Sequence, residues 1–192
     1  KYDQTADIVD SYLRTSLKID NVEEKERLIT VMKNYSGNIP YMAFMLVDSY
    51  KELGQIKIKN SDEILNNLLQ NPSADELKVL EAISIFKLVG YKGNQKSEYE
   101  LIKSENNIHH IMGKNSEELS YLFDCTIEKY RRKELIEELT QWIDVRPLPL
   151  AEWLVKRWFE ETTSATLAGM FKRLAEDPKS GMLEESFGKR IE

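Results

Sequence analysis

Cys125 is the only cysteine in 192 residues, so no internal disulfide can form, and a reducing cytoplasm is the simplest home for the chain. Glycine and proline are sparse, at eight and five, which argues against long irregular stretches. No apolar run approaches the roughly 18 residues that a membrane-spanning helix needs. The opening residues, "KYDQTADIVD", hold no Met and no apolar signal region, and they read as mid-helix, as though cut from a longer polypeptide. Basic charge is short as well. The formal net charge is −6, whereas a nucleic-acid binder presents a basic footprint.

Catalytic signatures are missing too. Gly113-Lys114 has Ile108 where the first glycine of a phosphate-binding P-loop would stand, and no G-x-G-x-x-G occurs. His109 and His110 are adjacent, with no second H-x-x-x-H or cysteine partner, so the ligand count for a metal falls short. They read as a polar loop between helices. Cys125 has no His and Asp framework and reads as a small buried residue rather than a nucleophile. The 33 carboxylates lie on helical faces, where solvation is expected.

What remains is helix. Residues 2–17 place Ile8, Val9, Tyr12, Leu13 and Leu17 at helical spacing, and residues 22–34 repeat the pattern through Leu28, Ile29 and Met32. "YSGNIPYMAF" (35–44) then interrupts and resumes. Gly37 suits the left-handed residue past a helix end, and Pro40 suits the first turn of the next helix, where its missing N–H costs nothing. The result is a tight corner before a helix over 39–53.

Past residue 59 the helices shorten. Asn60 before Glu63, Ser73 before Glu76 and Asn115 before Glu118 all have capping-box spacing. They predict helices at "NSDEILNNLLQN", at "SADELKVLEAISIFKLVG" up to Gly90, and at "NSEELSYLFDCTIEKYRRK", with a weaker one at "QKSEYELIKSEN". The period then changes. Residues 134–139 read as a strand or helix end, and 141–146 alternate as a strand does. A helix follows from Pro149, with Leu150, Trp153, Leu154 and Trp158 as its inner stripe. Short helices followed by a small hairpin predict a winged-helix domain over 59–160, after a helical lid subdomain over 1–58. Residues 161–192 hold two more amphipathic helices, read as the start of a helical repeat or sensor region. The fold class expected is mainly α, with one small β-hairpin.

The basic run "KYRRK" (129–133) is interleaved with Glu128, Glu134, Glu137 and Glu138, which points to a solvated, paired face rather than a phosphate track. Trp142, Trp153 and Trp158 are expected in a core or domain interface.

Together, the corner "YSGNIPYMAFML", the stretch "VLEAISIFKLVGYKG" and the junction "WIDVRPLPLAEWL" resemble the region downstream of the P-loop core in STAND NTPases. These form the signalling branch of AAA+ proteins that includes NLR-type immune receptors and bacterial antiphage sensors. The resemblance covers about residues 1–160. It implies that Gly37, Ile39 and Pro40 lie against the adenine of ATP or ADP, although Asn38 and Ile39 both intervene where the family has a G-x-P. It also implies a phosphate sensor at the last strand–helix junction. The family often has a histidine there; here Arg146 stands in that place, and a guanidinium suits phosphate. The implied cofactor is ATP/ADP held with a P-loop NTPase core on the same polypeptide, N-terminal to Lys1. The implied activation step is homo-oligomerisation as the winged helix swings away from the nucleotide.

Two other readings fit the helical pattern: a winged-helix DNA-binding regulator and a structural helical interaction module. Helix 116–128 carries Glu117, Glu118, Asp124 and Glu128 with no base before Lys129, which weighs against DNA. The strand at 141–146 weighs against a plain scaffold.

Overall fold

The computed structural model describes residues 4–36, 40–53, 66 and 68–191. Gly37, Asn38 and Ile39 of the corner, and the Asn60/Glu63 capping pair, lie outside the described residues. The chain divides into two compact units, Lys1–Ile64 with Pro147–Pro149, and Leu65–Arg146 with Leu150–Glu192.

The first unit is built on α1 (Gln4–Ser16), α2 (Val22–Ser36) and α3 (Pro40–Leu53). Asn21 starts α2 by accepting the Glu24 N–H at 3.1 Å. Pro40 is the first residue of α3, where its fixed φ suits a helix start. The apolar stripes of the three helices meet in one cluster through Val9, Leu13, Leu28, Ile29, Met32 and Leu46. Each such side chain contributes about 1.5–3 kcal/mol on leaving water. At the surface Asp10 joins Arg14 at 2.7 Å and Lys33 at 2.8 Å, tying α1 to α2. Its hydrogen bonds from Lys33 and Arg14 hold its carboxyl below the ordinary range.

The second unit starts at α4 (Ala74–Ser84), which opens with the expected capping box: Ser73 accepts the Glu76 N–H and Glu76 accepts the Ser73 N–H. β1 (Val89–Gly90), a 3-10 turn (Gly93–Gln95), α5 (Lys96–Ser104) and the short α6 (Asn106–His109) follow. The long α7 (Ser116–Arg132) starts with the Asn115/Glu118 box, also as expected. β2 (Ile136–Leu139) and β3 (Trp142–Val145) form the hairpin. They pair antiparallel with Ile136 opposite Val145 and Leu139 opposite Trp142.

The helix expected to run to Gly90 stops at Ser84, and Val89–Gly90 instead form a third strand against β3. The apolar run continues because Ile85, Phe86 and Val89 stay buried, so hydrophobicity did not mark the change. The sheet order β1-β3-β2, entered as helix–strand–helices–strand–strand, is winged-helix connectivity. The molecule is mainly helical with one small antiparallel sheet.

α8 (Leu148–Glu161) buries Leu150, Trp153, Leu154 and Trp158, the stripe its spacing predicts. α9 (Ser164–Glu176) and α10 (Leu183–Ile191) complete the chain. Residues 161–192, expected to open a separate array, belong to the second unit. The reason is hydrogen bonding that no local pattern encodes. The Lys87 N–H donates to the Ser186 carbonyl at 3.1 Å. The Leu88 N–H donates to Ser186 Oγ at 2.7 Å, and that hydroxyl donates back to the Leu88 carbonyl at 2.6 Å. α10 thus satisfies the backbone just ahead of β1. Arg190 adds a bond to the Phe86 carbonyl at 3.1 Å and a buried ion pair with Asp144 of β3.

Glu98 of α5 is fully buried and accepts two backbone N–H groups, from Gly90 at 2.7 Å and Met182 at 2.7 Å. Gly90 leaves room for this. A Cβ there would stand 2.6 Å from the Gln95 Cβ and nearer still to its carbonyl oxygen. Gly90→Ala is therefore expected to lower stability by about 2–4 kcal/mol through overpacking against rigid backbone. Thermal and urea unfolding beside Gly188→Ala, whose surroundings are open, would check it.

Candidate functional site

Arg146 follows β3 directly, at the junction where the resemblance expects a phosphate sensor. Its backbone N–H donates to the Leu135 carbonyl at 2.9 Å, which anchors the turn into α8. Its side chain is about two-fifths exposed, with Nε 3.1 Å from Asp144 and 3.2 Å from Glu137. Neither approach has hydrogen-bond alignment. Asp144 is buried beneath it and is shared with Arg190. Burial pushes the Asp144 carboxyl up from its ordinary value, against the pull of Arg190 and then Arg146. Loss of either partner from a buried pair of this kind costs about 3–5 kcal/mol when the charge left behind stays dry. Arg190 is the buried member, and Arg146 is the solvent-facing one.

Pro40 is half-buried at the start of α3 in the first unit, whereas Arg146 belongs to the second. Each therefore stands in its own unit, and Gly37 and Ile39 lie outside the described residues.

α7 is the helix that the DNA-binding alternative would use to read a duplex, but its outward face is acidic. Glu117, Glu118 and Asp124 are exposed, and Tyr121 is 74% exposed between them. The basic residues at its far end are already paired. Lys129 meets Glu76 at 2.6 Å, Arg132 meets Glu128 at 2.9 Å, and Arg131 bridges Glu128 at 2.7 Å and Glu138 at 2.9 Å. Lys92 holds Glu138 from beside β1 at 2.5 Å. Cys125, expected to be buried, is exposed. Phe123, Thr126, Ile127 and Tyr130 take the inward positions of α7, and helical phase turns residue 125 outward.

The histidine pair is likewise not a polar loop. His109 ends α6, is 1% exposed and accepts the Ile111 N–H through Nδ1 at 2.9 Å. His110 adopts φ +54° and stacks on Trp158 at 5.3 Å, with its ring nitrogens buried. Trp158 is fully buried and donates Nε1–H to the Ile108 carbonyl at 2.7 Å. Trp158, the eleventh residue of α8, and Phe123 of α7, whose ring meets that of His109 edge-on, thus draw the pair inward. Burial lowers the His109 pKa from 6.5 to about 4, and burial followed by Lys78 lowers that of His110. Beside them Glu81, fully buried, holds Lys78 at 2.8 Å and Arg157 at 3.0 Å, and Lys78 also meets Glu161. Among the described residues, no three His, Cys, Asp or Glu side chains gather as a metal site.

A polar cleft of about 250 Å³ opens between α5, α7 and α9, lined by Glu100, Lys103, Ser116, Ser120, Arg173 and Lys179 among others. Lys103 pairs with Glu100 at 2.9 Å and lies 4.8 Å over the Tyr99 ring. Arg173 is fixed by Glu105 at 2.8 Å and Asp177 at 3.2 Å. The sequence reading missed this cleft, because its residues come from positions 100 to 179 with no local motif.

Comparison of the chain with protein families, with curated proteins and with solved structures finds no match.

Two outcomes are expected. In a mobility-shift titration at physiological salt, duplex DNA should not bind in the submicromolar range. The face that would enter the groove is acidic, and DNA presents about one phosphate per 1.7 Å. The second concerns pH. Between about 6.5 and about 4 the unfolded chain binds a proton that folded His109 refuses. Stability is therefore complete above the ordinary imidazole pKa and falls as pH drops through that window, by roughly 1–3 kcal/mol. Melting curves from pH 7 to pH 5 should show the decline, and His109→Phe should flatten it.

Proposed function

We propose that the chain is the regulatory nucleotide clamp and hinge of a STAND-type signalling ATPase. In this reading it couples the ATP or ADP state of a P-loop core to homo-oligomerisation and signalling. The carrying observation is Arg146. It stands at the strand-to-helix junction of a winged-helix unit, part-exposed, and approaches two carboxylates without committing a well-aligned hydrogen bond to either. Such a cation can exchange Glu137 for a phosphate oxygen while Arg190 keeps Asp144 paired. Pro40 at the start of α3 supports the adenine side of the reading, since its ring is a rigid apolar surface without a competing N–H. The acidic α7 face supports it against the DNA-binding alternative.

The reading requires a P-loop core encoded ahead of Lys1, so a reading frame with no such core upstream would sink it. In the intact polypeptide, Arg146→Ala should loosen the closed state by about 1.5–3 kcal/mol, or roughly ten- to a hundred-fold, and raise activity without a trigger. Pro40→Asp should instead reduce nucleotide retention, at a desolvation cost of about 1–3 kcal/mol. Nucleotide released from the purified protein and trigger-independent activity measure the two effects. Wild-type values for both variants, with the fold intact, would refute the proposal.

A further inference from the structure

We propose that Asp144 is a switched contact: Arg190 of α10 and Arg146 compete for its carboxylate, so that seating of α10 frees Arg146 and withdrawal of α10 recaptures it. Each oxygen of Asp144 serves one guanidinium. Oδ1 accepts from Arg190 Nη2, and Oδ2 stands 3.1 Å from Arg146 Nε without an aligned hydrogen bond. Arg190 is the better placed competitor. It is buried, and the same Nη2 also donates to the Phe86 carbonyl at 3.1 Å. Glu137 lies directly opposite Asp144 across the hairpin and stands 3.2 Å from Arg146 Nε. Two carboxylates opposed on neighbouring strands repel unless a cation lies between them, and Arg146 is that cation. It is divided between two acids, one of which already holds Arg190.

α10 is suited to be the moving part. It has nine residues. An isolated helix shorter than roughly 12–15 residues is marginal in water, so α10 is helical because it is seated. Leu183 and Phe187 are its buried apolar side chains. Its polar anchors run from Ser186 to residues 87 and 88, and from Arg190 to Phe86 and Asp144. Contacts this few open as one cooperative piece. When Arg190 leaves, the buried Asp144 carboxylate must be compensated, and Arg146 is the cation already beside it. The seated and unseated states therefore differ in which guanidinium Asp144 holds. Linkage makes the competition reciprocal: whatever draws Arg146 away from Asp144 strengthens the seat of α10. That a phosphate is what draws it rests on the nucleotide reading above; the competition itself does not.

Amide hydrogen exchange on the full chain tests this. The reporters are the Lys87 and Leu88 amides, which donate to Ser186, and the amides of α10, each taken relative to the buried positions of α7. Arg146→Gln should slow exchange at the reporters at least about three-fold, because an unseated α10 then leaves Asp144 with no cation. Glu137→Gln should speed it by a similar factor, because Arg146 then leans wholly on Asp144. Both side chains are part-exposed, so neither substitution opens the core. An ion pair that only braces the fold gives the opposite sign for Arg146→Gln. In an Asp144→Asn background the Arg146 substitution should no longer move the reporters. Unchanged or faster exchange in Arg146→Gln overturns the proposal, and so does a slowing that persists in Asp144→Asn. Should Asp144→Asn not fold, Glu137→Gln decides, since unchanged or slower exchange there also overturns it. No nucleotide enters these measurements, so the competition and the clamp reading can fail independently.

Discussion

The carboxylate of Glu98 has no exposure, and it can remain buried only if its oxygens are satisfied. Two backbone N–H groups do this, one from Gly90 in β1 and one from Met182 just before α10. The requirement reaches both ways along the chain. It places α5 against the first strand, and it draws a segment 84 residues away onto the same point. Glycine at 90 and at 181 follows from the same constraint, because a Cβ at either position would enter the space that Glu98 or its neighbours occupy. With Met182 held, α10 is delivered to the backbone ahead of β1, where Ser186 completes the pairing that the edge of the sheet lacks.

A buried acid is an expensive anchor, since an unpaired ion in the interior costs several kcal/mol. The second unit uses three of them. Glu98 is satisfied by backbone, Glu81 by Lys78 and Arg157, and Asp144 by Arg190 with Arg146 at the solvent edge. The three differ in how easily a partner can be exchanged. Backbone donors cannot leave without unfolding. The Glu81 pairs are braced from one side, with Arg157 packed 5.0 Å over the Trp153 ring. Arg157 and Arg146 are both part-exposed guanidiniums, but Arg157 donates an aligned hydrogen bond to Glu81 at 3.0 Å whereas Arg146 Nε has no aligned hydrogen bond to Asp144 or Glu137.

The same bookkeeping explains why the winged-helix connectivity does not by itself imply DNA. Recognition of a duplex depends on uncommitted cations at the right face. Here Lys129, Arg131 and Arg132 of "KYRRK" are committed to Glu76, Glu128 and Glu138, Lys133 reaches the Leu69 carbonyl, and the outward face of α7 is acidic.

Local physics made much of this legible in the sequence. The capping boxes at Ser73 and Asn115, the proline that opens α3 and the inner stripe of α8 depend on neighbours within a few residues, so pattern alone determined them. The strand at β3 was expected too, but Ile143, Asp144 and Val145 are all buried, so its faces do not alternate. The mainly helical class and the hairpin followed, and Arg146 was placed at its junction by order along the chain. The tertiary structure decided the rest. β1 is two residues inside an apolar run and exists only because β3 pairs with it. His109 is buried against Phe123 and His110 is half-buried on Trp158, about 50 residues on, and Cys125 faces water because Thr126 took the inward position. The tail helices belong to the second unit because Glu98, Leu88 and Asp144 have partners there. Each of these outcomes depends on satisfying a buried polar group or filling a core position across long sequence separation, and such pairings leave no periodic trace in the residues themselves.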